Sequence, residues 1–254
     1  MVVEPARAMQ GTFVVVTVVT AARSGTLDAL GREWLLYPVP GGLRGLVGVP
    51  LSATPGRKPV RAELRGGTEA VGSVQILRRE RTRSKALKGL TVGAEDAAAL
   101  TTHKVLLGRS LRHTVPDALW TAGGPWRPPV PGPVSSPFGV TRSYGGTAEW
   151  PHRGADFASP AGWPVTAPIA GIVVLARRMK MYGNIIVLDH GRTIHTTYLH
   201  MTSREVVEGQ RVEAGQVLGT VGATGFAKGA HLHFGTYVGP VAVDPLDMLQ
   251  RGLP

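Results

Sequence analysis

Two histidines near the end of the chain, His231 and His233, are separated by one leucine and followed by Phe234. Side chains alternate between the faces of an extended strand, so the two imidazoles would point to one side with Cα atoms about 6.5–7 Å apart. Leu232 would then point the other way, into a core. Two imidazoles on one face suit a metal ligand and a neighbouring acid or base group, but two nitrogens cannot complete a metal site.

The segment His152-Arg153-Gly154-Ala155-Asp156 can supply the missing groups, since it carries one imidazole, one carboxylate and a glycine. Imidazole and carboxylate without thiolate are typical of a catalytic zinc with one position open for water. Such a site would take His152, Asp156 and one histidine of the pair as ligands. The other histidine of the pair, together with His200, could act on the water and on the tetrahedral intermediate.

The elements that must position these groups are short Val- and Ile-rich segments separated by turn residues. They occur from Val134 onward and predict a mainly antiparallel β domain whose site lies where strands and loops converge. The predicted strands are Val165–Ala170, Ile172–Ala176, Asn184–Leu188, Thr193–Tyr198, Val217–Val221 and His231–Val238.

The first half of the chain also predicts β structure. Short apolar or alternating segments are separated by glycine and proline turns, which is typical of a small immunoglobulin-like β-sandwich. The predicted strands are Phe13–Val19, Leu46–Leu51, Val60–Leu64 and Val71–Leu77.

Between these halves, residues 93–120 form the best helical segment, with Glu95 and Asp96 in its first turn and Pro116 expected to break it. His103 and His113 are expected to be exposed on it. The following proline-rich stretch, up to Pro133, reads as a semi-rigid linker. We therefore predict a β-sandwich-like domain over 1–88, a helical connector and linker over 89–133, and the metal-site domain over 134–254.

Composition limits the chemistry further. The 254-residue chain has no cysteine, which excludes thiolate-bound zinc, thiol catalysis and disulfides. Its net charge is +11, of which +9 falls on residues 1–133 and +2 on residues 134–254. A basic first half could bind an anionic wall polymer, anionic lipid or nucleic acid.

Specific nucleic-acid binding is not expected, because the charge run Arg78–Lys85 has no stacking aromatics and no recognisable module around it. We interpret that run as a solvated linker. No apolar segment approaches the length of a membrane span. We expect a location in the cell envelope, periplasmic or extracellular, which assumes a signal upstream of this chain.

Taken together and in order, these motifs resemble the lysostaphin/LytM-like zinc metallopeptidases, a family of peptidoglycan endopeptidases. The resemblance covers roughly residues 134–247. It rests on Ser135–Gly139, His152–Phe157, Tyr182–Asn184, Asp189–Gly191, Tyr198–His200, Val207–Gln216, Gly222–Gly225 and His231–Phe234.

The resemblance implies a role for each residue. His152, Asp156 and His233 would bind Zn²⁺, while His200 and His231 would be catalytic. Tyr144 is placed like a tyrosine that helps to hold the oxyanion in some members, although the loop from Gly145 to Pro151 has its own length. Gly235 stands where many members carry an acidic residue, which removes one possible supporting hydrogen bond. The implied fold is the family's duplicated antiparallel β motif, and the implied substrates are the peptide cross-links of bacterial peptidoglycan.

The main alternative is a catalytically silent wall-binding or amidase-regulating protein on the same fold. Silent relatives usually lose a ligand or a catalytic histidine, whereas all five positions are filled here. A polyanion-binding protein is a third possibility, and only the charge of the first half supports it.

Overall fold

The computed structural model describes residues 1–80, 82–83, 93–120, 123, 126–143 and 149–254, with the side chains of Ala94, Ser143 and Glu149 left out. The chain divides into two compact units. The first comprises Met1–Glu80, Val241–Val243 and Pro254, and the second Arg81–Pro240 with Asp244–Leu253. The predicted domain limits at residues 88 and 133 stay a prediction.

The first unit is built on one continuous path of eight strands, in the order β1-β3-β6-β5-β4-β7-β8-β2. Its strands are β1 (Val2–Glu4), β2 (Arg7–Met9), β3 (Phe13–Val19), β4 (Gly25–Ala29), β5 (Arg32–Val39), β6 (Gly42–Gly48), β7 (Gly56–Leu64) and β8 (Thr68–Leu77), with β21 (Val241–Val243) assigned to the same unit.

The strands of this unit follow from the pattern of buried and exposed side chains along the sequence. In β7, Val60, Ala62 and Leu64 are buried while the residues between them face solvent, as expected for a sheet with one covered face. In β3 the valine run is buried on both faces over most of its length. Three of the predicted strands lie within β3, β7 and β8, and the predicted Leu46–Leu51 overlaps only the end of β6. Strands β1, β2, β4 and β5 were missed; in β5, Arg32 and Glu33 weaken the apolar alternation at its start.

Helix α1 spans Ala94–Ser110, which is shorter than the predicted 93–120. Asp96 accepts a hydrogen bond from the amide of Gly93 (3.3 Å) and so caps the first turn. The chain leaves the helix well before Pro116, and the amide of Val115 donates instead to Asp189 Oδ2 (2.8 Å). The expected exposure of His103 was wrong. It is buried, because its ring packs 5.3 Å from the ring of Tyr182.

The second unit contains a mainly antiparallel sheet in the order β18-β14-β15-β16-β20-β12-β9, two smaller sheets, β10-β11 and β13-β19-β17, and a C-terminal helix α2. Its remaining elements are β9 (Val134–Ser136), β10 (Thr141–Ser143), β11 (Glu149–Pro151), β12 (Ala155–Phe157), β13 (Pro164–Thr166), β14 (Gly171–Met179), β15 (Gly183–Asp189), β16 (Ile194–Met201), β17 (Ser203–Arg204), β18 (Arg211–Val212), β19 (Val217–Thr220), β20 (Leu232–Val238) and α2 (Pro245–Arg251).

Strands β15, β16 and β20 form the buried centre of this sheet, and every residue of β15 and β16 is buried. Fully buried Tyr198 and Phe234 lie directly opposite each other in the β16–β20 pair, with ring centroids 5.4 Å apart. The next opposed pair is Leu199 with His233, and across the other edge of β20 Asp156 lies opposite His233. This register brings residues far apart in sequence to one end of one face.

Within the described part of the chain, no helix is both long enough and apolar enough to cross a membrane. The predicted mainly β fold, with an antiparallel C-terminal β domain after a small β module and a helical connector, is confirmed.

Candidate metal centre

His152, Asp156 and His233 direct one ligand atom each to a common point. Asp156 and His233 are directly opposed across β12 and β20, and His152 follows the last residue of β11. Asp156 Oδ1 lies 3.0 Å from His152 Nε2 and 2.9 Å from His233 Nδ1, and the two ring nitrogens are 2.9 Å apart. Opposed residues of an antiparallel pair have close Cβ atoms, so the register itself holds Asp156 against His233.

The surrounding backbone fixes the two imidazoles. His152 Nδ1–H donates to the carbonyl of Pro137 (2.9 Å), which leaves the lone pair on Nε2, the nitrogen that faces Asp156. His233 lies against Gly154, where an added Cβ would come within 2.6 Å of His233 Nε2. Only glycine at residue 154 lets the chain pass this close to the ring.

The three atoms fit a tetrahedral zinc site. With ligand distances of about 2.0–2.1 Å, tetrahedral ligands lie about 3.3 Å from one another, so the observed 2.9–3.0 Å separations need to open by only a few tenths of an ångström. Two imidazoles and one carboxylate also form the ligand set of catalytic zinc sites. In the portion of the chain that the structure describes, no other group of three His, Cys, Asp or Glu offers ligand atoms this close together.

His200 lies beside these ligands in a strained backbone conformation. Its φ is +65°, a left-handed value that costs of order 1–3 kcal/mol for a non-glycine residue and that clusters at functional sites. Its amide donates to the carbonyl of Tyr182 (3.0 Å), and its Nδ1–H donates to the carbonyl of Thr224 (2.9 Å). Thr224 is itself held by its hydroxyl, which donates to Met201 O (2.7 Å). The free lone pair of His200 is therefore on Nε2.

His231 is the most accessible of the five residues, with 19% of its side chain exposed. Its ring centroid lies 4.9 Å from that of His200, and its Nδ1–H donates to the carbonyl of Gly229 (2.9 Å). Its Nε2 lies 3.9 Å from Asp156 Oδ1. His200 and His231 thus each present an unused Nε2 at the edge of the three-ligand group.

Burial and mutual charge set the protonation states. Burial lowers the pKa of His200 to about 3, helped by the charges of His233 and His231, and burial lowers the pKa of His233 to about 4 against the opposing pull of Asp156. Burial raises the pKa of Asp156, but hydrogen bonds with His152 and His233 outweigh it and hold this pKa well below its usual range. Neutral imidazole and ionised carboxylate are the forms that a metal needs.

The structure brings together five of the six residues proposed from the sequence. The sixth, Tyr144, lies outside the described residues, and its role stays a prediction. Sequence reasoning missed the carbonyls of Pro137 and Thr224, because backbone acceptors leave no signal in residue type. It also missed Arg142, whose guanidinium contacts Asp156.

Comparison with known proteins agrees with this geometry. Residues 150–245 match the model described as peptidase family M23. This segment, which contains His152, Asp156, His200, His231 and His233, is similar to M23 peptidases. The predicted resemblance to lysostaphin/LytM-like metallopeptidases is thereby confirmed.

The chain is also similar to curated relatives over part of its length. Over 84 residues it is 45% identical to the peptidoglycan DD-endopeptidase ShyA of Vibrio cholerae, covering 33% of this chain and 20% of that protein. Over 116 residues the chain is 35% identical to the DD-carboxypeptidase/endopeptidase Mpg of Neisseria meningitidis, covering 45% of this chain and 26% of that protein. The match thus spans about a quarter of these relatives' length.

The similarity to a solved structure extends beyond residues 150–245. The crystal structure of a Pseudomonas aeruginosa protein assigned to peptidase M23 superposes with a TM-score of 0.76 and 28% identity, covering 95% of each chain. Both units therefore have counterparts in that structure.

Proposed function

We propose that this chain is a zinc-dependent endopeptidase that hydrolyses the peptide cross-links of bacterial peptidoglycan. One observation carries the proposal: three ligand atoms converge at the end of the sheet, and two histidines with free Nε2 atoms stand beside them. The relatives named DD-endopeptidases support the substrate class.

In this proposal His152, Asp156 and His233 hold the zinc. When bound there, zinc supplies an acidified water and polarises the scissile carbonyl. Asp156 contributes the one negative charge of the ligand set, which leaves half of the metal's charge uncompensated. The hydrogen bond from His152 to Pro137 keeps the ring in the tautomer that presents Nε2.

His200 and His231 divide the work on the proton. Burial opposes protonation of His200, so its Nε2 serves best as a fixed acceptor that orients the attacking water. His231 is partly exposed and can take the proton at Nε2. Protonated His231 then stabilises the negative charge that develops on the carbonyl oxygen and delivers the proton to the leaving amine.

Digestion of purified sacculi tests the proposal. The zinc-loaded protein should release un-cross-linked muropeptides, which mass analysis identifies together with the bond that was cut. The same reaction with a chelator, and the His200→Ala variant with zinc, should release none above background. Binding to sacculi without release of any product would favour the silent wall-binding or amidase-regulating alternative.

The basic first half is proposed to help retention on anionic wall polymers, in line with a location in the cell envelope. Arg57, Arg61 and Arg65 are exposed and lie along or just after one strand, β7. Replacing all three with glutamine should lower the salt concentration that releases the protein from sacculi. An unchanged release concentration would count against this targeting role.

A further inference from the structure

The two oxygens of the Asp156 carboxylate face different partners. Its Oδ1 faces the two ring nitrogens, while its Oδ2 accepts a hydrogen bond from Arg142 Nη2. The same Nη2 donates to Ser136 Oγ (2.7 Å), and Ser136 lies opposite Asp156 in the β9–β12 pair. The Arg142 side chain is 15% exposed and that of Asp156 8%, so water competes little for this contact.

This contact restricts how Asp156 can bind a cation. A carboxylate with two free oxygens can rotate or bind a metal through both of them. A guanidinium on Oδ2 removes that freedom, because arginine stays charged and its charge-assisted hydrogen bonds are strong and directional. Only Oδ1 then remains for the metal, on the side that faces the two ring nitrogens.

Arg142 exerts two opposed effects on metal binding. Its positive charge draws electron density from Asp156, which weakens the carboxylate as a donor. Its hydrogen bond orients the carboxylate, which strengthens binding. Loss of an outer partner of a metal ligand typically costs about 10–100-fold in metal affinity, so orientation outweighs electron withdrawal.

We propose that Arg142 is a positioning residue that holds Asp156 to a single-oxygen mode of zinc coordination and thereby strengthens zinc binding. This inference rests on the metal role proposed above for His152, Asp156 and His233. It assigns to Arg142 a function that neither its sequence position nor its residue type revealed.

Metal binding measured without substrate tests it. The zinc dissociation constant is measured by competition with a chromophoric chelator for the wild type, Arg142→Met and Arg142→Lys. Arg142→Met should bind zinc about 10–100-fold more weakly, and Arg142→Lys should fall between, because a point charge cannot hold the carboxylate plane. The absorption spectrum of the Co²⁺-loaded protein should change in Arg142→Met toward the weaker bands of a higher coordination number.

Arg251→Met is the matched control, since Arg251 forms an ion pair with Asp247 (3.0 Å) on helix α2. It should leave zinc affinity and the Co²⁺ spectrum unchanged. Wild-type affinity and spectrum in a folded Arg142→Met protein would overturn the inference, with folding checked by circular dichroism. If Arg142→Met fails to fold, Arg142→Lys decides by the same two measurements.

The outcome is separable from that of the proposed function. If the wild type digests sacculi while Arg142→Met and Arg142→Lys bind zinc normally, the inference fails and the function stands. If the wild type binds zinc in an Arg142-dependent way but releases no muropeptide, the function fails and the inference stands.

Discussion

The second unit carries two clusters of histidine and aspartate around the same sheet, and one of the two is suited to bind a metal. The metal centre combines His152, Asp156 and His233 at one end of β20. The Asp189 cluster lies at the other end of β15 and β16. Its members are Asp189, His190, His195, Thr196 and Tyr198.

The two carboxylates differ in what they face. Asp189 is fully buried and accepts hydrogen bonds from the amides of Val115 and Gly191, both at 2.8 Å, and from the hydroxyl of Thr114 (3.3 Å). These donors belong to the chain that follows α1 and to the β15–β16 turn. Asp189 therefore ties two segments together and has little acceptor capacity left for a cation.

The histidines differ in the same way. Both nitrogens of His190 are used, Nδ1 with the carbonyl of Ala170 (2.7 Å) and Nε2 with Thr196 Oγ1 (2.8 Å). In the metal centre, by contrast, His152, His200 and His231 each have Nδ1 on a backbone carbonyl, which leaves the lone pair on Nε2. Burial of histidine and aspartate together does not make a site; the direction of the unused lone pairs does.

The largest expected effect is a loss of bound zinc when a residue of the metal centre is replaced, with no loss when a residue of the Asp189 cluster is replaced. His233→Ala removes one of the three ligands. Loss of a residue that only supports a ligand costs up to about 100-fold in metal affinity, and loss of a ligand should cost more, so that no stoichiometric zinc remains. Metal analysis after gel filtration measures this. His190→Asn should keep one zinc per chain, and stoichiometric zinc in His233→Ala would refute the ligand assignment.

The next effect separates ligands from proton-handling groups. His200→Ala should keep one zinc per chain but lower the rate of muropeptide release by about 10²–10⁴-fold, the usual contribution of a positioned acid or base. Initial rates at matched zinc loading measure the loss. Loss of zinc in this variant would mean that His200 is itself a ligand.

A smaller effect is expected from the Asp189 cluster. Asp189→Asn places an amide group against one of the backbone donors and leaves a buried N–H without an acceptor, which should cost about 1–3 kcal/mol in the free energy of unfolding. Urea denaturation measures this cost. The folded variant should still bind one zinc per chain; a loss of zinc at full stability would contradict the separation of the two clusters.

The sequence predicted more of the site than of the surrounding fold. His231 and His233 share a face because a strand alternates, and that rule needs no tertiary information. The meeting of Asp156 with His233 depended on the family resemblance, since nothing local in either segment specifies their register. The positive φ of His200 and the carbonyl partner at Thr224 arise from loop packing, which residue types do not encode.

In the first unit, too, local signals predicted a strand but not how the strands pair. Its valine-rich strand β3, Phe13–Val19, was predicted with correct bounds, because an apolar β-branched run is a local signal. The order of its eight strands, with β2 joining β8 in parallel at the edge, could not be derived, because pairing partners are chosen by the packed core as a whole.

The smallest expected effect is on the pH dependence of the unfolding free energy, and it concerns His190 of the Asp189 cluster. Burial lowers the pKa of His190 to about 4, whereas an unfolded chain holds histidine near its ordinary 6.5. Between these values the unfolded chain binds a proton that the folded chain does not. Stability from this group is therefore fully present above about pH 6.5 and is lost as the pH falls toward 4, with a slope of about 1.4 kcal/mol per pH unit.

In metal-free protein, His190→Asn should reduce the pH dependence of the unfolding free energy by about one proton over this window. Asparagine can still donate to Ala170 O, so the loss is chiefly that of the titrating group. Thr196→Val is the matched control, because it removes the partner of Nε2 and keeps the imidazole; its slope should stay close to that of the wild type. Parallel curves for His190→Asn and wild type, from urea denaturation at several pH values, would show that His190 takes up its proton at the same pH in the folded and unfolded states and that the acid sensitivity belongs to other histidines.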